Sequence, residues 1–151
     1  MTADYDWVAE TMAKTVPWVG TTGIEFLELE AERVVCALRD TPERRNHVGG
    51  PHAAMMFGLA ETASGAVALA AFTPLLERAV PLVISSEIHY EKLALGDLTT
   101  EAILGGDIGR VTAELDEGGR PEFPVHCTIR DSAGSTTGRM TVRWTLRPER
   151  F

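Results

Sequence analysis

Apolar residues recur along this chain in two rhythms, one helical and one of period two, and the switch between them separates predicted helices from predicted strands. Between residues 3 and 16, Trp7, Val8, Met12 and Val16 stand at helical spacing before Pro17, which predicts a short amphipathic helix lying on a core. From Gly23 to Arg39 the chain is rich in Ile, Phe, Leu and Val with acidic interruptions, and Glu30 to Glu32 mark the turn between two strands. The polar stretch Asp40 to Pro51, with its Arg, Asn, Gly and Pro residues, is an irregular surface loop. A long apolar helix starts near Pro51 to Ala53, and from Ala53 to Phe72 Glu61 is the single charged residue.

After Pro74 the period becomes two. Leu82, Ile84, Ile88 and Tyr90 alternate with Ser85, Glu87, His89 and Glu91, the pattern of a half-buried strand. Leu98 to Leu104 gives the next strand, and Val111, Ala113 and Leu115 the one after, closed by a turn at Asp116 to Gly119. Val125, Cys127 and Ile129, then Met140, Val142, Trp144 and Leu146, predict two more strands about the turn at Asp131 to Ser135. Short connections favour antiparallel pairing, since parallel neighbours need long crossovers. One buried helix against an antiparallel sheet is an α+β architecture, read here as one domain over residues 1–151.

Charge narrows the partners. A net charge of -8 with no basic block argues against nucleic acid, whose binding needs clustered cations. Single cations at Lys92, Arg110, Arg139 and Arg143 could still meet a phosphate locally. Cys36 and Cys127 are far apart and lack zinc-site spacing, so they read as reduced structural thiols, and no metal is expected. The acidic N-terminal stretch, with Asp4, Asp6 and Glu10, does not read as a signal peptide, and the expected location is the cytoplasm. The apolar run Ala53 to Phe72 is long enough to span a bilayer, but Glu61 near its centre, the diluting Gly58, Ser64 and Gly65, and the lack of cationic flanks make it a buried helix of a protein core.

The candidate chemistry lies where the polar loop meets that helix. A helix start presents free backbone N–H groups and a positive dipole end, suited to polarising a carbonyl oxygen, and Ala53 N–H is the candidate donor. Glu61 lies nine residues beyond His52. That is about 13 Å along a helix, too far to serve the same carbonyl unless a second subunit supplies it. A carboxylate in an apolar helix is costly unless it is paired or used, so Glu61 either caps or pairs locally or acts on a substrate.

Asn46, His52 and Glu61, with fifteen residues from the first to the last and nine from the second, match the spacing of one motif, and Ile88 to Asp97 supplies a strand ending in a Gly-Asp turn. On these residues the chain resembles the hotdog-fold thioesterases of the phenylacetyl-CoA thioesterase type, over roughly residues 17 to 147. The chain departs from that pattern where His52-Ala53-Ala54 replaces His-Gly-Gly and where Leu93 replaces a Pro. The resemblance implies a hotdog fold, a long central helix wrapped by about five to six antiparallel strands, working as a homodimer or a dimer of dimers. It implies hydrolysis of an acyl-coenzyme A thioester. Ala53 N–H would hold the carbonyl, Glu61 of the facing subunit would activate water or attack directly, and Asn46 would orient the water or carbonyl. His52 would serve as a hydrogen-bonding residue at the helix entry. Met55, Met56 and Phe57 would line the acyl slot, Lys92 and Arg110 would meet coenzyme A phosphates, and Ser64, Ser85 and Ser86 are candidates to support the carboxylate. No cofactor beyond the coenzyme A of the substrate is implied.

Two other readings stay open. His47 precedes Glu61 by fourteen residues, the His-to-Glu spacing of hotdog β-hydroxyacyl dehydratases, although His47-Val48-Gly49-Gly50 stands where those enzymes carry His-Phe-Pro-Gly. Hydrolysis is the favoured reaction because that His-Phe-Pro-Gly sequence is absent while Asn46 and His52 fit the thioesterase pattern. A non-catalytic acyl-binding module is the third reading, since one fold hosts many functions.

Overall fold

The computed structural model describes residues 4–149. Residue 3, where the first amphipathic pattern begins, lies outside them. α1 (Asp6–Thr15) turns Val8 and Met12 into the core. Pro17 ends the run as expected but also opens a second short helix, α2 (Pro17–Thr22), because a first helical position needs no N–H. β1 (Glu25–Leu29) and β2 (Arg33–Leu38) form the expected antiparallel pair around the acidic turn. Arg33 ties Glu28 of β1 to Glu101, at 2.6 and 2.7 Å.

The long helix is α3 (Ala53–Ala71). Ala60, Ala63, Ala66, Val67 and Ala68 expose no surface, and these small side chains let β2, β4 and β5 pack closely along it. α3 has the length and composition of a membrane span, yet here it is the core around which the sheet wraps. The remaining elements are β3 (Ala79–Tyr90), β4 (Leu98–Leu104), α4 (Ile108–Asp116), β5 (Glu122–Arg130) and β6 (Thr136–Pro148). The six strands pair antiparallel in the order β1-β2-β4-β5-β6-β3. Phe72, just beyond the end of α3, is fully buried against Phe123, with ring centroids 4.5 Å apart. Phe72→Ala is expected to lower the unfolding free energy in urea by about 3–5 kcal/mol, the usual loss for a buried ring replaced by a cavity.

Two expectations are corrected. Val111, Ala113 and Leu115 belong to a helix, α4, and not to a strand. Val111 and Leu115 are buried one turn apart while Ala113 faces out, and the Asp107 side chain caps the start by accepting from Arg110 N–H at 2.8 Å. Spacing of four satisfies both periods, and the cap decides between them. The second correction concerns β3, which is much less buried than its alternation suggests. It lies at the sheet edge with β6 as its only strand neighbour among the described residues, and its register slips between Val83 and Ser85. Val83 and Ile84 are both exposed, at 41% and 47%. β5 and β6 join through the turn that was expected, where Asp131 Oδ1 accepts from Ala133 and Ser135 N–H, and Gly134 takes φ +78°.

Candidate active site

The loop before α3 is held by its own Asn. Asn46 Oδ1 accepts from the N–H groups of Val48 and Gly50 at 3.0 and 3.2 Å, and its Nδ2 donates to the Pro51 carbonyl at 3.3 Å. Gly49, at φ +82°, makes the reversal that this Asn-centred turn requires. Beyond it, His52 has extended backbone and caps the helix, its Nδ1 accepting from Ala54 N–H at 2.9 Å. Nδ1 must carry no proton for that bond, so the ring proton sits on Nε2. His52 thus satisfies Ala54, while Ala53 N–H finds no protein acceptor among the described residues. Tyr90, at the end of β3, donates its hydroxyl to the Ala53 carbonyl at 3.2 Å and fixes the same residue from the other side.

Ala53 opens onto a cavity of about 400 Å³ whose lining includes Asn46, Met56, Tyr90, Glu91 and Lys92. The structure therefore gathers Asn46, Ala53, Met56 and Lys92, four of the residues singled out by sequence, around one space. A free N–H at the positive end of a 19-residue helix can donate to a carbonyl oxygen and stabilise the negative charge that develops on it.

Glu61 lies eight residues further along α3, about 12 Å by the helical rise, and lines a different cavity of about 200 Å³. Its companions there are Met12, Val16, Leu69, Pro81 and Trp144. Its carboxylate has no hydrogen-bond or ion-pair partner among the described residues. Burial pushes its carboxyl above the ordinary carboxylate range. The nearby Cys127 thiol is pushed up to about 12, chiefly by its own burial and further by the Glu61 charge. Of the three serines proposed to support the carboxylate, Ser64 donates to the Glu61 backbone carbonyl at 2.7 Å and accepts from Trp144 Nε1–H at 3.0 Å. Ser85 and Ser86 line a separate surface hollow with Arg143.

This environment has a consequence for stability. A carboxyl that binds its proton more tightly when folded favours the fold at low pH, and that contribution disappears as pH rises through the raised folded value. Above it the ionised, unpaired Glu61 works against folding. Glu61→Gln is expected to increase resistance to urea at pH 7, and to lose that advantage when the same titration is run below the ordinary carboxylate range.

The other predicted residues fall elsewhere. Met55 and Phe57 are half-buried against the core and line neither cavity. Arg110 is engaged on α4 with Glu114 and the Glu122 carbonyl, at 3.1 and 2.9 Å. Arg139 pairs with Glu91 at 3.0 Å, and His47 is exposed on the loop. The sequence reading missed Tyr90 as a partner of Ala53, and Met12, Leu69 and Trp144 as neighbours of Glu61. Leu69 follows from helical spacing, eight residues from Glu61 on α3, whereas Tyr90, Met12 and Trp144 come from β3, α1 and β6 and arrive only through the fold.

A helix cupped in an antiparallel sheet, with its start and its one carboxylate opening onto separate cavities, defines a hotdog-fold protein. Residues 6–146 match the family described as a domain of unknown function, DUF4442, and the chain belongs to that family. None of the curated proteins compared matches it in sequence. Three solved structures show the fold. A Pseudomonas aeruginosa protein of unknown function, described as a probable thioesterase, is 24% identical with TM-score 0.84 over 99% of both chains. A thioesterase family protein from Silicibacter pomeroyi is 17% identical with TM-score 0.78, covering 97% of this chain and all of the other. The Escherichia coli PaaI protein from the phenylacetic acid degradation operon is 14% identical with TM-score 0.74, covering 93% and 91%.

Proposed function

We propose that the protein hydrolyses acyl-coenzyme A thioesters in sites built by two copies of the chain. The observation that carries this reading is the pairing of a free helix-start N–H with an unpartnered, half-buried carboxylate too distant to act on the same atom within one chain. The exposed edge of β3 suggests how a second copy supplies the missing group. Its outer backbone groups have no strand neighbour among the described residues, and a long unpaired edge is a template for another strand. Two β3 strands related by a twofold axis run antiparallel. Pro81, beside Glu61, then lies near the level of the partner's Tyr90, beside Ala53, when the axis passes close to the middle of the strand. The two cavities become one channel crossing between subunits.

In that channel Ala53 N–H polarises the thioester carbonyl, and Glu61 of the partner subunit takes a proton from water as its oxygen attacks the carbonyl carbon. The carbon–sulfur bond breaks, the coenzyme A thiolate takes up a proton, and a carboxylic acid is released. Asn46 acts by holding the loop in shape, since both ends of its amide are already engaged there. Lys92 offers a cation to a coenzyme A phosphate at the mouth of the larger cavity. The exposed position of His47 gives no support to dehydration. The buried free thiols of Cys36 and Cys127 suit the reducing cytoplasm, where we place the reaction.

The test is thiol release by the purified protein across acetyl, medium, long and aromatic acyl-CoAs. Release that disappears in Glu61→Gln is the expected result. Interconversion of 3-hydroxyacyl and enoyl thioesters, lost in His47→Ala, would overturn it.

A further inference from the structure

Resting on that reading, we propose that the cavity beside Glu61 is the acyl pocket and that Gly65, Leu69 and Trp144 set the size of acyl group the enzyme accepts, favouring compact apolar groups over long straight chains. The two cavities differ in chemistry in the way the two ends of an acyl-CoA differ. Asn46, Tyr90, Lys92 and Glu91 give the larger one polar and charged groups, Glu91 being held by Arg139 at 3.0 Å. Met12, Val16, Leu69, Pro81 and Trp144 make the smaller one mostly apolar, with Thr15 and Thr62 beside them and Glu61 as the charged member. A substrate whose carbonyl lies between them must direct its hydrocarbon towards the second.

Its size then limits the acyl group. An apolar cavity of about 150 Å³ accommodates benzene, and this one measures about 200 Å³. That open-sided space takes a ring, or a short or branched chain, against its apolar walls.

The walls are fixed to the helix that carries the carboxylate. Trp144 is 8% exposed, and its indole N–H reaches Ser64, which in turn bonds to the Glu61 carbonyl. The Trp144 ring and the Met12 methyl rest over Gly65, where an added Cβ would lie 3.4 Å from the ring and 3.5 Å from the methyl. A methyl group there fits in contact with both walls and takes up room between them. Leu69 stands one turn further along the same face of α3, and its truncation enlarges the space.

The experiment is a ladder of straight-chain acyl-CoAs from acetyl to dodecanoyl, with the aromatic benzoyl-CoA alongside. It reads kcat/KM for the wild-type protein, Gly65→Ala and Leu69→Ala, each normalised to acetyl-CoA. Dissociation constants for the same ladder are measured in the Glu61→Gln background. Within the pocket each accommodated methylene should improve kcat/KM about fourfold, the equivalent of its burial free energy. The expected profile rises to a compact maximum and then falls. Leu69→Ala moves that maximum to longer chains and Gly65→Ala to shorter ones, opposite shifts that misfolding cannot produce. Turnover with a profile that neither variant moves would overturn the pocket and leave the hydrolase standing. Absence of turnover, together with an affinity ladder that peaks and shifts as described, would keep the pocket and overturn hydrolysis. An affinity ladder unmoved by both variants would overturn the pocket whatever the turnover.

Discussion

Glu61→Gln is expected to lower kcat/KM for thiol release by a factor of about 10² to 10⁴, the range that loss of a positioned acid–base group produces. The replacement keeps the shape and polarity of the side chain and removes its ability to accept a proton. It also removes a half-buried carboxylate whose ionisation burial disfavours, so the variant should fold at least as well as the wild type at neutral pH, and a loss of activity cannot be assigned to unfolding. The pH profile supplies a second readout. Because burial raises the Glu61 carboxyl above the ordinary carboxylate range, wild-type activity should increase with pH through that raised value, where the base becomes ionised. Residual activity in Glu61→Gln should lack that rise. His47→Ala serves as the contrast: this exposed loop residue should leave thiol release within about twofold of wild type, as for most surface changes away from the chemistry. A large loss there with little effect of Glu61→Gln would reverse the assignment of roles.

Much of this arrangement was legible in the sequence because it rests on local signals. The long helix shows itself through a run of small apolar residues, and its start through Pro51 and a capping His52, whose ring does accept from Ala54 N–H. β2, β4 and β5 alternate cleanly, and β6 does so over 139–144, because α3 covers one face of each. The failures have physical causes. Val111 and Leu115 fit either period, and the Asp107 cap that settles the matter is a single residue. β3 carries apolar residues, Val83 and Ile84 among them, that no described part of the chain covers, so its pattern does not report burial within one copy. At the site, the loop, the helix start and the carboxylate were visible as neighbours in sequence. Tyr90 meets Ala53 across thirty-seven positions and Trp144 meets Ser64 across eighty, and only the strand order brings them together. Met55 and Phe57 were placed by helical adjacency to Met56, whereas the turn of the helix directs only Met56 to the larger cavity.

Ala53→Pro should abolish activity almost as completely and, combined with Glu61→Gln, decide whether the site is shared between subunits. Proline removes the one N–H assigned to the carbonyl oxygen. The first helical position tolerates it, and His52, at φ −63° and ψ 140°, already has the backbone that must precede a proline. Loss of an oxyanion donor should reduce kcat by about 10²- to 10³-fold. Ala53→Val, which adds bulk but keeps the N–H, should retain most of the turnover and so separate the missing donor from a crowded cavity. In a shared site, each variant alone spoils every site of its own homodimer. Equal amounts unfolded and refolded together give half mixed dimers, each with one site that joins an intact Ala53 N–H to an intact Glu61. About a quarter of wild-type activity should therefore return, from random pairing across a twofold interface. If both groups instead act within one chain, the mixture contains no complete site and nothing returns. Recovery near one quarter, absent when the same proteins are mixed without unfolding and before subunits exchange, would locate the chemistry between subunits.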